Sequence, residues 1–189
     1  LKKLVYLQLQ SPLFEVSTPH GEKRKASDYW LVNGQKNWAF VKNPAARELG
    51  VPEGTPIRLH EGNERKFGST HIYKKARRTT VQNVLRRSNK TAKRYSQIAA
   101  HETYAPEFVW LKLNSSGSFY SADSEDKSKI HLSMSPGSLM ILQIKEDNEA
   151  QLYLSIVSLF VYNSNGLDGD RLGRYNSSWV NPDAHKSNP

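Results

Sequence analysis

Between Arg58 and Arg94 the chain sets twelve lysines and arginines against two acids, Glu61 and Glu64, a local balance of +10 in a protein whose formal net charge is +9. The remainder is therefore close to neutral. From Arg65 to His101 there is no Asp or Glu, whereas an ordinary solvated face interleaves both signs to gain ion pairs and limit repulsion. Unopposed cations suit one chemistry above others, the neutralisation of phosphates with release of their counterions. Arg65, Lys66, Lys74, Lys75, Arg77, Arg78, Arg86, Arg87, Lys90, Lys93 and Arg94 are the candidate phosphate contacts. Tyr73, next to Lys74 and Lys75, is the best-placed stacking surface for an unpaired base. Trp30, Trp38, Tyr95, Trp110, Phe119 and Tyr120 have the same chemical capacity, but the first two tryptophans and Trp110 lie beside aliphatics in strand-like runs. At least two of those three read as core.

Histidines near the cations give a second chemistry. His60-Glu61 with Glu64 and His71 could compose a general base with a carboxylate that orients it, and His101-Glu102 could form another such pair beside the basic stretch. A metal-independent ribonuclease needs a base, a cation for the phosphorane and a 2′-hydroxyl. His71 and His101 are the weak catalytic candidates on that reading. Metal chemistry has less support, because the acids cluster in Asp123-Ser124-Glu125-Asp126 and Asp168-Gly169-Asp170, turn-like and far in sequence from the cations. Neither matches a two-metal or calcium-loop arrangement. No phosphate-binding glycine loop, dinucleotide fingerprint or serine-hydrolase elbow is present. With no cysteine, zinc ribbons, disulfides and thiol catalysis are excluded. No metal and no cofactor is expected.

These side chains need elements to hold them. The stretch from Thr80 to Ala100 reads as a long helix. At about 100° per residue, Val81, Val84, Leu85, Tyr95 and Ile98 share one side, and Arg86, Arg87, Lys90, Lys93 and Arg94 share the other. Leu4–Leu9 alternates like a strand. Tyr29–Val41 reads as a hairpin around Asn33-Gly34, the dipeptide a type I′ turn requires. Asn43 to Gly50 reads as a two-turn helix with Asn43 as N-cap, Pro44 at the first helical position and Gly50 as the stop. Ile57–His60 is expected to be a strand, and Phe67–Tyr73 another. Five more are expected at Phe108–Leu113, Phe119–Ala122, Lys129–Met134, Leu139–Ile144 and Leu152–Tyr162, separated by turns.

The expected fold is α+β and β-rich, an antiparallel barrel-like or strongly curved sheet with one short helix and one long basic helix. A single β-rich domain would cover residues 1–162, including the basic segment 65–100, followed by a loop-rich C-terminal tail at 163–189. Leu1 in place of Met fits a mature form, a proteolytic product or a domain of a larger chain. No run reaches the roughly 20 apolar residues of a membrane span, and the first ten residues lack a signal-peptide core. An intracellular setting, cytoplasmic or nuclear, is expected.

The leading functional expectation is a nucleic-acid-binding module, for DNA or RNA, that grips the phosphate backbone within a nuclease, restriction, transposition or ribonucleoprotein assembly. Other subunits or a missing domain would complete it, with no membrane partner. The alternatives are a metal-independent endoribonuclease using a histidine near the basic segment, and an interaction domain that docks an acidic protein.

Overall fold

The computed structural model describes residues 12–76, 103–122, 126–134, 137–161 and 169–185. The expected strand at Leu4–Leu9 and the expected helix at Thr80–Ala100 lie outside the described residues. The elements are β1 (Phe14–Val16), β2 (Tyr29–Val32), β3 (Ala39–Val41), α1 (Ala45–Leu49), β4 (Thr55–His60), α2 (Gly68–Ala76) and α3 (Tyr104–Leu113). After them come β5 (Gly117–Ser121), β6 (Lys129–Met134), β7 (Ser138–Glu146), β8 (Leu152–Val161) and β9 (Arg171–Tyr175), then two short 3₁₀ turns, Ser177–Trp179 and Pro182–His185.

The protein is α+β and strand-rich, built on one large mixed sheet in the order β1-β2-β4-β8-β7-β6-β5-β9, with β3 paired to β4. The β4–β8 pair is parallel and the other pairs are antiparallel. The sheet has two end strands and does not close, which corrects the expectation of an antiparallel barrel. A parallel pair needs a long crossover connection, and here the chain between β4 and β8 supplies it through α2, α3 and the β5–β7 meander. After β9 the chain returns toward the opposite part of the sheet. Val180 bridges Ala39, and the Asn33 side-chain amide donates to the Ala184 carbonyl at 2.6 Å. Residues 171–185 are thus integral to the fold rather than a loose tail, with Tyr175, Val180 and Ala184 buried. Their Asn, Ser and Gly neighbours conceal the few apolar anchors in the sequence.

Period-two patterning accounts for the meander. Ile130, Leu132 and Met134 of β6 are buried while Lys129, His131 and Ser133 are more exposed, and β7 pairs with it from Lys129↔Gln143 to Met134↔Ser138. Residues 108–113 behave differently. Phe108–Leu113, expected as a strand, is the second half of helix α3. Short apolar runs do not distinguish a strand from a buried helix, and α3 is buried nearly all round. Its Leu113 carbonyl accepts the Tyr175 hydroxyl at 2.7 Å, and Trp110 meets Trp38 edge-on at 6.0 Å. Phe67–Tyr73 is likewise helical from Gly68. The Thr70 amide and hydroxyl both donate to the Glu61 carbonyl at 3.0 Å, fastening the first turn of α2 to the end of β4.

Asn33 and Gly34 do take positive φ (47° and 78°), and Val32 and Gln35 exchange backbone hydrogen bonds at 3.1 and 3.0 Å across them. The tight turn forms, yet β2 and β3 do not pair. Each pairs instead with β4, one after the other along it: Trp30↔Leu59 for β2, then Ala39↔Ile57 for β3. Residues 31–38 are an excursion opposite a single β4 residue, Arg58. It is closed by the Trp38 indole, which is fully buried and donates to the Trp30 carbonyl at 2.9 Å. Helix α1 starts one residue later than expected, with Pro44 in the cap position after a cis Asn43–Pro44 peptide, and it stops at Gly50 with φ 72°. No helix among the described residues is long and apolar enough to cross a membrane.

Candidate nucleic-acid interface

The first candidate cations sit on a tight loop between β4 and α2. The Asn63 carboxamide oxygen accepts from the Arg65 and Lys66 amides at 3.1 and 2.8 Å, and the Asn63 amide donates to the Phe67 carbonyl at 2.9 Å. The neck is two glycines in contact. A Cβ on Gly62 (φ 71°) would lie 1.9 Å from the Phe67 oxygen, and one on Gly68 (φ 85°) would lie 2.7 Å from the His60 oxygen. This closure leaves the Arg65 and Lys66 side chains exposed.

On α2 the picture changes. Lys74 Nζ lies 2.8 Å from Glu64 Oε2, so one candidate phosphate contact has a carboxylate from its own chain. Both groups are well exposed, and an exposed pair of this type is worth about 1 kcal/mol at most, which a phosphate can displace. Tyr73 meets Tyr104 edge-on at 6.4 Å and packs partly buried against the core. It helps hold α2 to α3 while remaining partly exposed. Lys75 lies in the last turn of the same helix. Arg77, Arg78, Arg86, Arg87, Lys90, Lys93, Arg94 and His101 lie outside the described residues. Of the other aromatics, Trp30, Trp38, Trp110 and Phe119 are all buried in the core.

Of the histidine pairings expected from sequence, His101-Glu102 lies outside the described residues, and the groups of the other have these partners. Glu61 Oε2 accepts the Trp30 indole N–H at 2.8 Å, and Glu61 Oε1 lies 3.9 Å from Arg24. His71 Nδ1 faces the backbone carbonyl of Glu64 at 3.0 Å. His60 instead contacts the Ser27 carbonyl through Nδ1 and the Tyr153 hydroxyl through Nε2, both at 3.0 Å. A carbonyl can only accept, so Nδ1 carries the proton and Nε2 accepts from Tyr153. Burial holds the imidazole neutral by pushing its pKa down, and the nearby charges of Lys145 and Arg58 act in the same direction.

Arg58, counted among the basic residues by sequence, is not at the surface. Its guanidinium is fully buried and donates from Nε to Asn37 Oδ1 (2.7 Å), from Nη1 to Asp147 Oδ2 (2.8 Å) and from Nη2 to Gln151 Oε1 (2.7 Å). Tyr153 and Tyr29 flank it at 4.8 and 5.6 Å from their ring centroids. The Arg58 hydrogen bond, with help from the Gln151 and Glu149 amides, pulls the Asp147 carboxyl down to about 2. Arg58 is thus a keystone joining β4, the 31–38 excursion and the β7–β8 turn, and the sequence count overstates the free charge by one.

Sequence reasoning missed a row of side chains beside this keystone. Lys145 Nζ lies 4.5 Å above the Phe67 ring, Phe67 meets His60 edge-on at 5.8 Å, His60 stacks on Tyr29 at 4.4 Å, and Lys36 Nζ lies 6.0 Å from the Tyr29 ring. The members come from the 31–38 excursion, β2, β4, the 62–68 loop and β7, so no local pattern signals them. Elsewhere, an open cavity of about 390 Å³ beside β1 mixes Glu15 and Glu22 with His20 and Arg24, a poor match for a polyanion. Among the described residues no group of three or more His, Asp or Glu side chains is placed to hold a metal ion. Compared with known proteins, the chain matches no family model, no curated protein and no solved structure.

Proposed function

We propose that this protein is a nucleic-acid-binding module that grips the phosphate backbone through its basic segment, as part of a nuclease, restriction, transposition or ribonucleoprotein assembly. The observation that carries the reading is the acid-free run from Arg65 to His101. Its setting supports it. The helices that flank residues 77–102 are docked on one another through Tyr73 and Tyr104 and on the core through Ile72, Tyr104 and Phe108. Both attachments of the basic stretch are therefore held at one firm place, and a ligand bound there would be bound to the whole domain. The like-charge repulsion of the free protein, a few tenths of a kcal/mol per close pair, would be relieved on meeting phosphates.

The test is equilibrium binding of the purified protein to labelled duplex DNA, single-stranded DNA and structured RNA over a salt series. Wild type should bind with affinity falling linearly in log salt. Arg86→Ala with Arg94→Ala should lower that slope by about 0.7 per lost contact on single strands and about 0.9 on duplex. An unchanged slope rejects this footprint, and binding confined to acidic proteins favours the docking alternative.

One observation favours the endoribonuclease as a second reading. Nδ1 of His71 is taken up by the Glu64 carbonyl, which leaves Nε2 available as a base three residues from Lys74 on the same helix. Cleavage of labelled RNA in EDTA that disappears in His71→Ala or His101→Ala would establish that reading; retention of RNA without cleavage supports the binder.

A further inference from the structure

We propose that the row Lys36–Tyr29–His60–Phe67–Lys145 is a second contact patch, and that its ligand is a single-stranded stretch of the same nucleic acid; this rests on the nucleic-acid reading above. Tyr29 and Phe67 remain partly exposed although each is fixed in place, Tyr29 by stacking on His60 and Phe67 by the closed loop neck. Rigid, partly exposed rings bearing flanking cations are the combination that binds unpaired bases and the phosphates between them. A duplex keeps its bases inside the stack and so has nothing to seat on rings that lie between the two lysines.

Neither Lys36 nor Lys145 forms an ion pair among the described residues. The nearest cation below them, Arg58, is already matched by Asp147, and Glu146, next to Lys145, falls on the opposite face by strand alternation. Lys145 is half-buried over Phe67, and burial pushes its amine toward the neutral form. An arriving phosphate would favour the charged form.

The patch also continues toward the basic segment. Phe67 closes the loop that exposes Arg65 and Lys66, and α2 starts at the next residue. Arg65 and Lys66 open the acid-free run, so the row adjoins its described beginning.

The experiment compares wild type, Lys36→Ala/Lys145→Ala and Arg86→Ala/Arg94→Ala for anisotropy binding of a labelled oligothymidylate and of a duplex of the same length. Tyr29→Leu is added with ultraviolet crosslinking to the oligothymidylate as its readout, and melting temperatures confirm folding. The expected result is a single-strand salt slope lowered by about 1.4 in the lysine pair, duplex affinity unchanged in that pair, and a crosslink lost in Tyr29→Leu. Two results overturn the patch while leaving the parent reading intact: single-strand binding indifferent to the lysine pair while Arg86→Ala/Arg94→Ala weakens it, or equal losses on both ligands. Wild type that binds neither ligand overturns both.

Discussion

Arg58 and Asp147 are 89 residues apart in the chain, and their 2.8 Å contact ties the central strand β4 to the β7–β8 turn. Asp147 also accepts from the Glu149 and Gln151 amides through Oδ1, at 2.9 and 3.0 Å, so one carboxylate shapes the turn and receives the guanidinium. The charge lost to this keystone is therefore a structural quantity.

Arg58→Leu should be among the most destabilising single changes in the protein. It leaves Asn37, Asp147 and Gln151 facing an apolar side chain and takes the cation from between Tyr29 and Tyr153. Removing the buried guanidinium strands its three partners without their donor. Urea denaturation with an unchanged slope and a strongly lowered midpoint is the expected result. A midpoint within experimental error of wild type would mean that the site is not the keystone described.

Acid should act through Asp147 and His60 in separate windows. The folded-state pKa of Asp147, about 2, lies below its ordinary 3.8, so its contribution is complete above about 4 and is lost as pH falls toward 2. The His60 pKa is also lowered in the folded state, by burial first, from an ordinary 6.5. Its contribution is complete above about 6.5 and declines as pH falls below that value, because the unfolded chain takes up the proton first. Stability measured against pH should therefore show an early decline beginning near 6.5 that is reduced in His60→Gln, the remainder coming from His131, whose pKa burial also lowers. A later decline below about 4 should be reduced in Asp147→Asn.

Gly62→Ala and Gly50→Ala separate steric conflict from simple backbone preference. Both glycines have φ near 70°, but an added Cβ meets nothing within 4 Å at Gly50 and lies 1.9 Å from the Phe67 oxygen at Gly62. Alanine at 50 should cost the left-handed penalty alone, about 1–2 kcal/mol. Alanine at 62 should cost more, since it also opens the neck that positions Arg65, Lys66 and Phe67. Equal melting temperatures for the two variants would contradict the closed neck.

These relationships explain what a sequence reading reaches and where it stops. The alternation of Lys129–Met134 and the Asn33-Gly34 turn are local, so they are legible. The partner of β3 is not local, because β4 takes the pairing that the turn would otherwise give to β2. Phe108–Leu113 has no clear period because α3 is buried nearly all round, and period is the property that separates helix from strand. Residue counting treats Arg58 and Lys74 as free because it cannot see Asp147 or Glu64 folded onto them. For the row from Lys36 to Lys145, five segments contribute one side chain each, and only the sheet order makes them neighbours. Charge segregation is the exception, because it depends on composition alone and needs no knowledge of neighbours.

Lys112 offers the last prediction, since it is a cation in the wrong place for either solvation or phosphate binding. It lies in the last turn of α3 and is 2% exposed, with its amine 6.0 Å from the Phe108 ring, and burial pulls its pKa from 10.5 down to about 8. A depressed folded-state value means that the unfolded chain holds the proton more tightly. The penalty of charging the buried amine is therefore in force at neutral pH and fades as pH rises from about 8 to 10.5. Methionine keeps most of the length without the charge. Lys112→Met removes that penalty, so its stability relative to wild type should be highest near pH 7 and should fall steadily up to about pH 10. A variant less stable than wild type at pH 7, with the same pH dependence, would show instead that the contacts of the ammonium group outweigh the cost of burying it.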